Sequence, residues 1–169
     1  MRRVTLFLFI GTLFFIFTGC NTSKAPYQPL EPVELSDRLK RIKMEDLEGR
    51  SFTLEDLGGR PVFLNFWATW CRPCVSEMAS IEELYQQFKE DVVFLAITTE
   101  SAEEIEAFRQ KHPLTFDFAR LEVEYIDAFV IELPTTLLID ANGQLRHEEE
   151  GATIWTLENN VQRVRNLLR

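Results

Sequence analysis

Pro61-Val62-Phe63-Leu64-Asn65-Phe66-Trp67-Ala68-Thr69-Trp70-Cys71-Arg72-Pro73-Cys74 is the stretch that decides the fold. Its first seven residues form a near-continuous apolar run of strand length, suited to a strand covered on both faces, as in parallel sheets. Beyond Cys74, Val75, Met78, Ile81, Leu84, Tyr85 and Phe88 recur at helical spacing, with Glu82, Glu83 and Gln86 on the other side. A strand therefore feeds a helix whose first turn carries two cysteines three apart. The unpaired N–H groups and the dipole of a helix start stabilise a thiolate. Such positions lower a thiol pKa from about 8.5 into the range of roughly 3.5–7.5. Cys71 is the expected attacking thiol. Cys74, one turn inward, is the expected resolving thiol, which attacks the mixed disulfide and frees the product. A structural disulfide and half a zinc site are the competing readings. Zinc would need two more ligands, and His112 and His147 show no ligand-like spacing.

Outward from this stretch the periodicities continue. Leu47 to Leu54 alternates around a glycine, which predicts a hairpin, and Gly58-Gly59 reads as the turn that ends it. Val92 to Ile97 is a second buried strand. Ser101-x-x-Glu104 is a capping box, and Pro113 stops the helix it opens. Phe116 to Ala119 fits a short strand or a loop, and Tyr125, Phe129 and Val130 fit one or two helical turns. Strands at Thr136–Asp140 and Gln144–Glu148 meet at Asn142-Gly143, a hairpin signal. Ile154, Leu157, Val161, Val164 and Leu168 close the chain with an amphipathic helix. Leu35 to Met44 fits either a short helix or an edge segment. The order implies an α/β fold in which alternation gives parallel strands and the last hairpin adds antiparallel ones.

The first residues differ in kind. Met1-Arg2-Arg3 is basic, Leu6 to Phe17 is almost wholly apolar, and Thr18-Gly19-Cys20 supplies small residues ending in cysteine. This is the pattern of a secretory signal. The apolar run is short for a spanning helix, which needs about 20 residues; an uncleaved membrane anchor is the competing reading. Residues 1–19 read as a lipoprotein signal peptide, 20–43 as a tether and 44–169 as the folded domain. Asn21 to Pro32, with three prolines and few large apolar residues, has a tether's composition. Without residues 1–19 the chain holds 16 basic and 27 acidic residues, a formal charge of −11. That balance excludes a nucleic-acid binder, which wants a basic face. Export places the cysteines in an oxidising compartment.

Two resemblances sharpen this. Phe17-Thr18-Gly19-Cys20 resembles a bacterial lipobox, which implies a lipid on Cys20 after cleavage; a free thiol is the alternative. Strand, Trp-Cys-x-x-Cys, helix and a later hairpin opening with Pro-Thr resemble the thioredoxin fold over residues 44–169. Asn65 to Cys74, Glu77 and Pro134-Thr135-Thr136-Leu137-Leu138-Ile139-Asp140 resemble the membrane-attached TlpA/ResA-type thiol-disulfide oxidoreductases. The expected architecture is a mixed central sheet flanked by helices, with an N-terminal β-hairpin extension.

The resemblance implies roles for individual residues. Pro134 matches the family's cis-proline, which sits against the disulfide; propensity alone favours trans. Leu133 and Thr135 then shape the substrate groove, with Trp70, Arg72 and Pro73 at its rim. Glu77 matches a functional glutamate, placed by helical spacing near the face of Cys74, where it would exchange a proton with that thiol; a solvated helix charge is the plainer reading. Asn65 stands where cytosolic thioredoxins have aspartate, and an amide takes no proton, which shifts the role of base toward Glu77 or water. Trp155, His112 and the Glu148-Glu149-Glu150 run read as packing, a helix terminus and a solvated strand end.

The function so implied is reduction of disulfides in exported proteins, with apocytochrome c as one candidate substrate. A transmembrane electron donor would recharge the pair, and no metal, heme or nucleotide is needed. The rivals are an oxidase that donates its disulfide, a peroxidase, and a non-catalytic binding lipoprotein. Peroxidases of the same broad fold use a pattern without Trp-Cys-x-x-Cys, and Trp70-Cys71-Arg72-Pro73-Cys74 departs from it.

Overall fold

The computed structural model describes residues 35–169. The expected signal peptide, Cys20 and the expected tether up to residue 34 lie outside the described residues. Seven strands form one mixed sheet: β1 Lys43–Glu45, β2 Ser51–Thr53, β3 Val62–Phe66, β4 Val93–Thr98, β5 Asp117–Leu121, β6 Thr135–Ile139 and β7 Leu145–Glu150, in the order β2-β1-β5-β4-β3-β6-β7. β3, β4 and β5 run parallel, because α1 (Arg72–Phe88) and α2 (Ala102–Arg109) make the crossovers. β6 returns antiparallel beside β3, and β7 beside β6. α3 (Glu158–Asn166) ends the chain.

The strand alternation sorts side chains into two cores. On one face Phe63, Trp67, Phe94, Ala96, Phe116 and Phe118 meet the buried residues of all three α-helices. On the other, Val62, Leu64, Phe66, Leu95 and Ile97 are covered by the N-terminal segment, the turns at 39–41 and 55–57, and the turn at 125–128. Every residue of β3 and β4 is buried, as their apolar runs require. Ser101 caps α2 by accepting from Glu104 N, while the Glu104 carboxylate accepts from Ser101 N.

Several sequence-based boundaries move. The hairpin's first strand, β1, begins at Lys43, four residues before the alternation from Leu47 suggested, and pairs antiparallel with β2 around a turn in which Gly49 takes φ 85°. Leu35, Leu39 and Ile42, given to the tether on sequence grounds, are buried in the second core. Residues 117–121 form a full strand beside β4 and β1. The last helix starts at Glu158; Ile154, Leu157 and Leu168 are exposed, and Trp155, Asn160 and Leu167 take the buried positions instead. Among the described residues no helix is long and apolar enough to cross a membrane.

Candidate active site

The site forms where β3 ends, at the carboxyl edge of the parallel strands. Trp67 continues the strand by one bond, donating its N–H to Ile97 O (3.1 Å), and Cys71 N closes a turn onto Ala68 O (3.1 Å). A polar girdle holds this turn. Glu100, at the end of β4, accepts from Thr69 N (2.7 Å), the Thr69 hydroxyl and the Thr98 hydroxyl. The Tyr125 hydroxyl donates to Trp67 O (2.6 Å) and meets Thr98 Oγ1 at 3.0 Å. Sequence reading missed Glu100 and the role of Tyr125. A carboxylate at a strand end beside the motif's threonine was the available signal.

Cys71 is the N-cap of α1 and Cys74 lies one turn inside it. The two are joined, with sulfurs 2.00 Å and Cα atoms 5.3 Å apart. Cys74 N donates to Cys71 Sγ (3.3 Å). Pro73 has no N–H, so the first-turn donor that reaches the sulfur comes from Cys74. Exposure separates the pair: Cys71 is 5% exposed and Cys74 is fully buried. Cys71 lines an open pocket of about 570 Å³ with Trp70, Arg72, Pro73, Tyr125 and the wall Val130–Leu133. Trp70 and Ile131 are largely exposed on its rim. Trp67, by contrast, is sealed in the core against Phe108 and Phe118.

The Leu133–Pro134 peptide bond is cis. Pro134 O already accepts from Gly151 N (2.8 Å), and the Thr135 hydroxyl donates to Glu132 O (2.9 Å). Leu133 lies before β6 and lines the pocket; Pro134 and Thr135 are buried behind it.

Three residues beyond Cys74, α1 contributes to a buried polar cluster. Glu77 is 4% exposed. Its Oε1 accepts from Asn65 Nδ2 (2.9 Å), and its Oε2 accepts from Thr153 N (3.1 Å) and Trp155 Nε1 (3.3 Å). Asn65 Nδ2 also donates to Thr136 Oγ1 (2.9 Å). Burial pushes the Glu77 carboxyl up to about 7; the three donors oppose that rise, and nearby Glu149 adds to it. Glu77 is therefore no solvated helix charge. Asn65 serves side chains rather than backbone groups, and its Oδ1 is buried without a partner. Trp155 packs on Phe63 (4.6 Å) as expected and also donates to the carboxylate, a role the sequence did not reveal.

The remaining candidates fall elsewhere. His112 stacks on Phe108 (4.1 Å), and His147 meets Glu149 (2.9 Å). The three glutamates 148–150 belong to β7; Glu148 pairs with Arg38 and Glu149 with Arg163, so the run is not simply solvated.

The AhpC/TSA family profile matches residues 35–148. The thiol-disulfide oxidoreductase ResA of Geobacillus thermodenitrificans is 36% identical over 151 residues, covering 86% of this chain and 83% of that protein. The ResA of Bacillus thuringiensis subsp. konkukian is 34% identical over 155 residues, covering 89% and 86%. A crystal structure of a putative thiol:disulfide interchange protein DsbE from Chlorobium tepidum superposes with a TM-score of 0.69 over 81% of this chain and 99% of that one. At 23% identity it is a likeness of fold.

Proposed function

The chain belongs to the AhpC/TSA family and to the ResA-type thiol-disulfide oxidoreductases, and from that premise we propose that it acts outside the cytoplasm, held to a membrane by a lipid on Cys20, passing electrons from Cys71 and Cys74 to disulfides of other exported proteins. One observation carries the reading: a disulfide whose first cysteine lines an open pocket and whose second is fully buried.

The reduced pair starts the cycle. The Cys71 thiolate, facing the Cys74 N–H, attacks one sulfur of the substrate disulfide, forming a mixed disulfide and expelling the other substrate sulfur as a thiolate. Cys74 then loses its proton and attacks Cys71 Sγ. The Cys71–Cys74 bond forms, the mixed disulfide breaks, and the second substrate thiolate leaves. Two electrons have passed to the substrate. Glu77, one turn beyond Cys74 and poised near neutral pH, accepts the Cys74 proton. A transmembrane donor returns two electrons to the pair. No metal, heme or nucleotide enters.

The substrate lies along the pocket wall. Pro134 has no N–H and its carbonyl is engaged, so the backbone groups offered to a substrate strand are those of Leu133, with Trp70, Arg72 and Pro73 shaping the groove around them, while the buried Thr135 braces the wall through Glu132 O. The cysteines of an apocytochrome c heme motif, two thiols close in sequence, are one substrate of the right kind.

Insulin reduction by dithiothreitol tests the chemistry: the wild-type chain accelerates it and Cys71→Ala does not. Equilibration with glutathione tests direction. A pair more reducing than glutathione supports the reductase, and one more oxidising points to a disulfide donor.

A further inference from the structure

The pocket wall is fastened from behind. Val130 to Leu133 follow the turn Tyr125–Ala128, and Phe129 between them stands at φ 59°, in the left-handed region that bulky residues seldom occupy. What holds it there is the segment Leu35–Ile42. Leu35, Leu39 and Ile42 share the second core with Ala128 and Val130. Arg38 grips the Glu148 carboxylate through both terminal nitrogens (2.7 and 2.5 Å), and its Nη2 also donates to Phe129 O (3.3 Å). Arg41 lies with its guanidinium 5.3 Å over the Phe129 ring. Arg38 thus joins three pieces of chain: the start of the domain, edge strand β7 and the peptide that enters the pocket wall.

We propose that Arg38 is a positioning residue for protein substrates: by clamping Phe129 to β7 it sets the wall Val130–Leu133 against Cys71, and so governs affinity for a disulfide presented by a protein, without acting on the thiol exchange itself. The proposal rests on the reading of this pocket as the substrate groove. A two-pronged arginine–carboxylate pair fixes the plane of the guanidinium, so the third contact, to Phe129 O, is held in direction as well as distance. Without it the peptide at Phe129 is free to leave its left-handed conformation, and Ile131 and Leu133 leave their places. A protein substrate spans that wall. A small disulfide needs only the Cys71 sulfur. Lysine keeps the charge and loses the fork, so it cannot replace arginine here.

The test uses the full chain and compares wild type, Arg38→Gln, Arg38→Lys and Glu148→Gln. Three quantities are measured: KM and kcat for insulin, the rate with the small aromatic disulfide DTNB, and the redox potential of the pair. The expected result is a rise in KM for insulin of about fivefold in Arg38→Gln and Arg38→Lys, and a rise in the same direction in Glu148→Gln. The kcat, the DTNB rate and the potential stay at wild-type values. A KM at the wild-type value, or DTNB and insulin rates that fall together, overturns the proposal; the second result marks a general loosening. Ile131→Ser, which alters the wall directly, separates the two readings. If Ile131→Ser raises KM and the Arg38 variants do not, the clamp alone is wrong. If neither raises it, the groove itself has been misplaced. Glu148→Gln breaks the same clamp from its other end and decides the matter should the Arg38 variants fail to fold.

Discussion

On the helix-covered face of the sheet, Asn65, Glu77 and Thr136 are buried beside the aromatic core of Phe63, Trp67 and Trp155, with Glu77 three residues beyond Cys74 on α1. One residue along in either direction, the same strand turns Leu64 and Phe66 to the opposite face, where they meet Met44, Leu95, Ile97 and Leu137. Both faces are buried, and the first holds the carboxyl of Glu77. The opposite face gains its stability chiefly from apolar burial. The helix-covered face buries a carboxyl, and burial raises its pKa into the range where a thiol exchange needs a proton acceptor. The tryptophan and asparagine N–H groups hold the carboxylate in place while leaving it only partly compensated. The contrast is between a face that secures the sheet and a face that gives up some stability to hold a poised proton.

The largest effect expected on either face is at the sulfur. Cys71→Ala should lower the insulin-reduction rate by at least about a thousandfold, with the melting temperature of the reduced protein little changed. A stable variant that still turns over would break the contrast at once. On the opposite face, Leu64→Ala removes a fully buried side chain. It should cost about 4 kcal/mol of unfolding free energy, in the range for core leucines, and leave the redox potential where it was. A shifted potential would mean that the two faces are not separate in their tasks.

Glu77→Gln sharpens the comparison through pH. The carboxyl titrates near 4.5 in the unfolded chain and near 7 in the fold. Between those values the folded state keeps a proton that the unfolded state has lost, so stability falls as pH rises, by about 3 kcal/mol in all for this one group. Glutamine stays neutral. With the Asn65 amide turned over, its oxygen accepts from the new side-chain N–H. Melting curves of oxidised wild type and Glu77→Gln from pH 4 to 8 should diverge, the variant gaining relative stability as pH rises from about 4.5 to 7 and holding that gain above it, while its insulin turnover slows. Parallel curves would contradict a buried, shifted carboxyl. The smallest effect lies away from both cores: Ser101→Ala removes the capping hydroxyl of α2. It should cost about 1 kcal/mol by denaturant titration, with activity unchanged.

What the sequence made legible was local. The apolar run 61–67, the cysteines at a helix start, the capping box at 101–104 and the turn at Asn142-Gly143 each carry their signal within a few residues, and each stands where it was read. The cis bond at Pro134 was legible only through resemblance, since propensity points the other way. The environment of Glu77 depends on partners 12 and 78 residues away in the chain, and the Arg38 clamp on one 110 residues away. No periodicity encodes such pairings. Leu35–Ile42 falls inside the expected tether 20–43 and its sequence fits a short helix or an edge segment equally well; only the core it covers reveals its role. Ile154, Leu157 and Leu168 fit an apolar stripe on paper, but all three fall outside α3 and are exposed, while Trp155 beside Ile154 is buried and reaches Glu77.

The unequal exposure of the two sulfurs is tested most directly with single-cysteine variants. Cys74→Ser and Cys71→Ser are each mixed with DTNB, and mass spectrometry locates and times the mixed disulfide. The account predicts rapid modification at Cys71 in the first variant and almost none at Cys74 in the folded second variant. Equal rates at the two positions, or a faster reaction at Cys74, would contradict it.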